Sequence, residues 1–141
     1  MACICEAQKS NAIDMLMYYG TRPSAFNGAF DFYTAKPLKG YYPLYWYGMF
    51  YDCEKEIKSQ NEIEKIYSLC GVDKNGKAMA IITHYSDNDD TVNKTVSIDF
   101  GKKGNYEIYL VDENHNGELI EITDKLVFDM KIYDCILIKE V

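Results

Sequence analysis

Histidine is scarce in this chain, two among 141 residues, and basic side chains are outnumbered, 15 Lys and Arg against 22 Asp and Glu. The resulting charge of −7 argues against nucleic acid or an anionic membrane as partner, since both reward Lys and Arg. No apolar run approaches the ~20 residues of a membrane span. The first ten residues lack the basic start and uninterrupted apolar core of a secretion signal. The five cysteines, Cys3, Cys5, Cys53, Cys70 and Cys135, are odd in number and follow no framework spacing. A disulfide-stapled secreted domain would show an even, regular set, so reduced thiols in a cytoplasmic protein are expected. Cys3-Ile4-Cys5 has no second pair to complete four zinc ligands, and neither a metal nor a cofactor is expected.

What is present is ordinary globular composition, 48% hydrophobic and 26% charged. It is unevenly spread. Residues 1–57 hold thirteen of the twenty aromatic residues and a net charge of −1, whereas residues 58–141 carry −6. Two units are therefore expected, 1–57 and 58–141.

The second unit reads as antiparallel β. Residues 63–73 and 77–86 are β-branched or aromatic runs separated by Lys74-Asn75-Gly76, where Asn-Gly allows both central residues a positive φ. Residues 95–100 alternate through Val96, Ile98 and Phe100, the period of a half-buried strand. Runs at 106–111, 118–123, 126–130 and 133–139 follow, separated by loops such as Asp-Glu-Asn-His-Asn-Gly at 112–117. Short strands with turns every eight to twelve residues predict a sandwich or barrel. The chain is thus expected to be mainly β, an antiparallel sandwich of seven to eight strands.

The first unit differs. Residues 2–10 suggest a short helix, and residues 13–19 are apolar except for Asp14, as in a strand covered on both faces. Residues 20–40 read as loop. A helix is expected from Tyr42 through Ile57, with Pro43 in its first turn and an apolar stripe of Tyr42, Trp46, Met49, Phe50, Cys53 and Ile57. Such a helix–strand–loop–helix piece cannot bury both faces of its strand alone. Either another chain supplies neighbours, or the segment folds onto its own sandwich.

The string Asp14-Met-Leu-Met-Tyr18-Tyr19-Gly20-Thr21-Arg22-Pro23-Ser24, followed by Phe26-Asn27-Gly28-Ala29-Phe30-Asp31 and Pro37-Leu38-Lys39-Gly40-Tyr41-Tyr42, resembles a known family. It is similar to the last β/α unit of retaining (β/α)8-barrel glycoside hydrolases of the β-xylosidase and α-L-iduronidase kind, in which a β-sandwich follows directly. Residues 109–115 and 133–138 also resemble strands of those sandwiches. Gly20 departs from the pattern, standing where the family tends to have an acidic residue.

The resemblance implies that Tyr18, Tyr19, Arg22, Phe26 and Asn27 line a sugar site at the carboxyl end of the last strand. It also implies that the acid/base and nucleophile glutamates, which must lie about 5–5.5 Å apart, belong upstream of Met1. No catalytic residue is assigned in this chain. The expected function is a non-catalytic C-terminal region of a glycosidase, packing on a barrel; the alternative is a homo-oligomeric carbohydrate-binding or interaction module. The expected partner is the barrel or a second copy, reached through residues 1–57, with an oligosaccharide as a further candidate.

Other features favour plainer roles. The spacing of Tyr45, Trp46, Tyr47 and Tyr51 puts them all around a helix, which suits packing better than a sugar platform. Asp87-Asn88-Asp89-Asp90 lacks the glycine and glutamate of a calcium loop, since Val92 and Ile98 stand there, and reads as a solvated acidic turn. His84 and His115 lie near no nucleophile motif.

Overall fold

The computed structural model describes residues 1–10, 12–18, 20–21 and 28–141. Helix α1 (Ala2–Lys9) and helix α2 (Tyr41–Met49) come first, and a short 3-10 turn, Phe50–Asp52, follows α2. Eight strands complete the order: β1 (Cys53–Ile57), β2 (Ile66–Asp73), β3 (Ala78–His84), β4 (Lys94–Ser97), β5 (Tyr106–Val111), β6 (Asn116–Thr123), β7 (Val127–Met130) and β8 (Cys135–Glu140). They form a six-stranded sheet, β1-β2-β3-β8-β5-β6, and a two-stranded ribbon, β4-β7, with every pairing antiparallel. The fold is mainly β, as the alternating runs imply. No helix among the described residues is long and apolar enough to cross a membrane.

Two apolar layers hold the sheet. On one face Ile66, Ile82, Ile108, Ile136 and Ile138 pack with Val96, Leu126 and Met130 from the ribbon and its approach. On the other, Met79, Ile81, Val111 and Leu137 pack around the buried Trp46 of α2, flanked by Tyr42, Met49 and Phe50. Because both faces are covered, β3 is buried along its whole length and β8 over its first four residues. A near-continuous apolar run thus marks a doubly covered strand, here in an antiparallel sheet. Both helices pack on the sheet: α1 contacts β2, and α2 contacts β3, β6 and β8. The Tyr47 hydroxyl donates to Gln8 Oε1 at 3.1 Å and joins the two helices.

Three local expectations are corrected. Residues 13–18 form no strand, and Ile13, Met15, Leu16, Met17 and Tyr18 are exposed; Tyr19 lies outside the described residues. A strand is stable only when its backbone groups pair with neighbours, and none of the described strands lies beside this run. The helix expected to reach Ile57 ends at Met49, because Cys53–Ile57 pairs antiparallel with β2 and caps a sheet edge that would otherwise stay open. The register shifts between Cys53 and Lys55, opposite Asp73 and Val72, and at the neighbouring Gly71 a Cβ would stand 3.1 Å from Cys53 Sγ and 3.3 Å from the Lys55 carbonyl. In the β2–β3 hairpin only Gly76 takes a positive φ, 77°, while Asn75 does not. The Lys74-Asn75-Gly76 connection is the expected three-residue loop, with only its glycine in the left-handed region.

The helical layer is tied to the sheet at its far end too. Lys39 Nζ donates to the carbonyls of Asp112 and Glu113 at 2.6 and 2.5 Å. The Tyr42 ring lies against Gly117, the turn glycine that opens β6, so closely that a Cβ there would meet its ring carbons.

Candidate functional site

Helix α1, the exposed run at 13–18 and the first turns of α2 enclose a groove of about 620 Å³, with Ile4, Leu16, Tyr18, Pro43 and Tyr47 among its walls. Tyr18 is half exposed and lines this groove. The other residues of the expected sugar site, Tyr19, Arg22, Phe26 and Asn27, lie outside the described residues.

A second groove, of about 540 Å³, opens beside another stripe of α2. Tyr41 and Tyr45 are one helical turn apart, so their rings meet on one side of the helix. Their planes are within 11° of parallel, with centroids 5.7 Å apart, and Phe30 stands 5.2 Å from Tyr41. Phe30 is held by a small antiparallel bridge with Pro37 across the 31–36 turn. Asp31 shapes that turn: its Oδ1 accepts from the Thr34 hydroxyl at 2.7 Å and from the Thr34 and Tyr33 amides at 2.8 and 3.1 Å. Those hydrogen bonds, the Thr34 hydroxyl first, hold the Asp31 carboxyl below its ordinary value. Asp52 and Thr21 are also among the described lining residues. The sequence singled out Tyr45 but missed Phe30 and Tyr41; the i, i+4 spacing of two tyrosines was the available signal. Trp46 is core, as its place in the apolar stripe implies, whereas Tyr51 is almost fully exposed.

Elsewhere, chemistry-bearing groups are occupied structurally. Burial raises the thiols of Cys5 and Cys70 to about 11 and that of Cys135 to about 12, so these three stay protonated and poorly nucleophilic. His84 is fully buried, its Nδ1 3.1 Å from the Met130 carbonyl. Its Nε2 is the buried side-chain nitrogen that lacks a hydrogen-bond partner among the described residues. His115 Nδ1 lies 2.8 Å from Asp112 Oδ1 within a tight turn. In the acidic 87–90 loop, Asp89 accepts from the Tyr133 hydroxyl at 2.5 Å and Asn88 bonds within the loop. No cluster of three or more metal-ligating side chains occurs among the described residues.

The chain is thus a mainly β, antiparallel fold with helices packed against the sheet. The chain superposes on a crystal structure described as a GH30 endoxylanase from Clostridium papyrosolvens C71, with a TM-score of 0.57 and 12% sequence identity. The match covers 79% of this chain and 30% of that one, so the chain spans under a third of that protein's length. No protein-family model matches the sequence, and no curated protein matches it.

Proposed function

We propose that this chain is the non-catalytic C-terminal region of a glycoside hydrolase, a β-sandwich that packs on and stabilises a catalytic barrel. Residues 1–57 are, in this reading, the part that meets the barrel, and residues 58–141 the accessory sandwich. The observation that carries the reading is the exposed apolar run at 13–18. Met15 and Met17 are 75% and 82% exposed, while the faces of the sheet are already covered by other residues. Contiguous apolar surface of this kind marks an interaction site. The match to part of an endoxylanase supports the same assignment. Retaining hydrolysis needs two carboxyls held across the scissile bond, and those belong to the barrel in this reading. A cytoplasmic location, from the reduced thiols, is part of the same proposal.

The purified chain is expected to hydrolyse neither aryl β-xylosides nor xylan. It is expected to self-associate through residues 13–18 when no barrel covers them. Leu16→Glu/Met17→Glu should then give a monomer in sedimentation velocity with an unchanged urea midpoint, because both residues are exposed. Turnover abolished by replacing a single carboxylate of the chain would overturn the proposal.

A further inference from the structure

The six methionines are spread unequally between interior and surface. Met130 and Met79 are buried in the two apolar layers of the sheet, and Met1 and Met49 are half-buried against the second layer. Met15 and Met17 stand apart, at 75% and 82% exposed. They flank Leu16, and all three residues line the groove bounded by α1 and the first turns of α2. The two most open thioethers of the chain therefore sit side by side in one apolar surface.

We infer that Met15 and Met17 form a paired modification site for a hydroperoxide oxidant, and that their sulfoxides turn this surface from apolar to polar. The step needs no further reactant. The thioether sulfur attacks one oxygen of hydrogen peroxide, the O–O bond breaks and a sulfur–oxygen bond forms. Sulfur is oxidised by two electrons and the peroxide is reduced. The proton on the transferred oxygen passes to the departing hydroxide, which leaves as water. Attack needs an open path to sulfur, so exposure sorts the six methionines. A flexible, apolar and polarisable side chain becomes a polar, chiral one.

The effect on association rests on the reading of residues 13–18 as a docking surface; the selectivity of oxidation does not. A sulfoxide buried without a hydrogen-bond donor costs what any unpaired polar group costs. Among the described lining residues there is no Lys or Arg side chain to donate to it. Two polar side chains of the wall are already engaged, the Tyr47 hydroxyl with Gln8 and the Gln8 amide with Glu56. Each copy carries two such sulfoxides, so association should fall by about tenfold or more. The sandwich itself should keep its stability, because neither sulfur belongs to the layers that hold the sheet. Methionine sulfoxide reductases return the thioether, so the change is reversible.

Brief treatment of the full chain with hydrogen peroxide at about pH 5, where thiols are protonated and thioethers still react, tests the site. Peptide mass spectrometry should find oxygen on Met15 and Met17 at least about tenfold sooner than on Met79 and Met130, which react only when the core opens. The treated chain should bind a hydrophobic dye more weakly and sediment as a monomer at concentrations where the reduced chain associates. Sulfoxide reductases of both stereospecificities, with dithiothreitol, should restore both signals. Dithiothreitol alone should restore neither, which separates the thioethers from the exposed Cys3 in the same groove. Met15→Leu/Met17→Leu should bind the dye equally before and after peroxide. Oxidation of Met79 or Met130 as fast as Met15 would overturn the inference. Dye binding left unaltered once both sulfoxides have formed would overturn it as well. A reduced chain that is already monomeric would count against the docking reading alone, since the peptide map and the dye still decide the switch.

Discussion

Replacement of Gly117 by alanine tests the joint between the helical layer and the sheet. Gly117 has φ of 84°, and a Cβ there would stand 2.9 Å from Tyr42 Cβ and closer still to the ring. Two costs add. An L-residue held in the left-handed region loses about 1–2 kcal/mol. A methyl forced into a packed contact costs about 1–3 kcal/mol more, because Tyr42 must move and it packs on the Trp46 layer. The expected loss is about 3 kcal/mol.

Gly76→Ala is the internal control. Its φ is 77°, yet nothing lies within 4 Å of the added atom. It should therefore cost only the backbone part, about 1 kcal/mol. With a urea slope of about 1–3 kcal/mol/M, the two variants should differ in midpoint by about 1 M. Combining Gly117→Ala with Tyr42→Ala should recover most of the steric part, visible as a coupling energy of about 1–2 kcal/mol. Equal midpoints for Gly117→Ala and Gly76→Ala would refute the close approach of α2 to β6.

Thiol reactivity should split the cysteines. Cys3 is exposed and should react with a disulfide reagent at pH 8, whereas Cys5, Cys70 and Cys135, raised to about 11, 11 and 12, should react only after denaturant is added; native labelling of Cys135 at the rate of Cys3 would contradict its burial. The β2–β3 hairpin should loosen in acid. Asp73 accepts from the Lys77 and Asn75 amides at 2.9 and 2.8 Å, and these bonds hold its carboxyl below the ordinary 3.8. Its folded value is depressed, so its contribution is present above pH ~3.9 and fades as pH falls through the folded value. Amide exchange at Lys77 should therefore accelerate on acidification beyond the intrinsic trend, and Asp73→Asn should remove that excess.

Most strands were legible because short β-branched or apolar runs between turn residues record burial, on one face or on both. The Thr95-Val96-Ser97 alternation marks a strand covered on one face, while the unbroken apolar run at 135–138 marks one covered on both. The Trp46 stripe of α2 was equally readable, since its period matches one covered side. Two segments misled for opposite reasons. Residues 53–57 carry a helical stripe in sequence, but the open edge of β2 offered hydrogen bonds that local propensity could not foresee. Residues 13–18 have the apolar content of an interior strand without strands beside them, so composition alone suggested cover that the fold does not provide. The candidate grooves were legible only in part. Tyr18 and Tyr45 stood out as residues, yet the meeting of Phe30 with Tyr41 depends on the Asp31 turn, a contact between segments that no single window of sequence contains.

Strand β8 comes after β1–β7 in the chain yet lies fourth in the sheet, between β3 and β5. During synthesis β3 and β5 therefore wait without their shared neighbour, and two half-sheets stand with raw hydrophobic borders until residues 135–140 emerge. Such nonlocal closure is slow and exposes the nascent chain to wrong pairing. Loss of residues 135–140 would thus split the fold down its middle instead of trimming its rim.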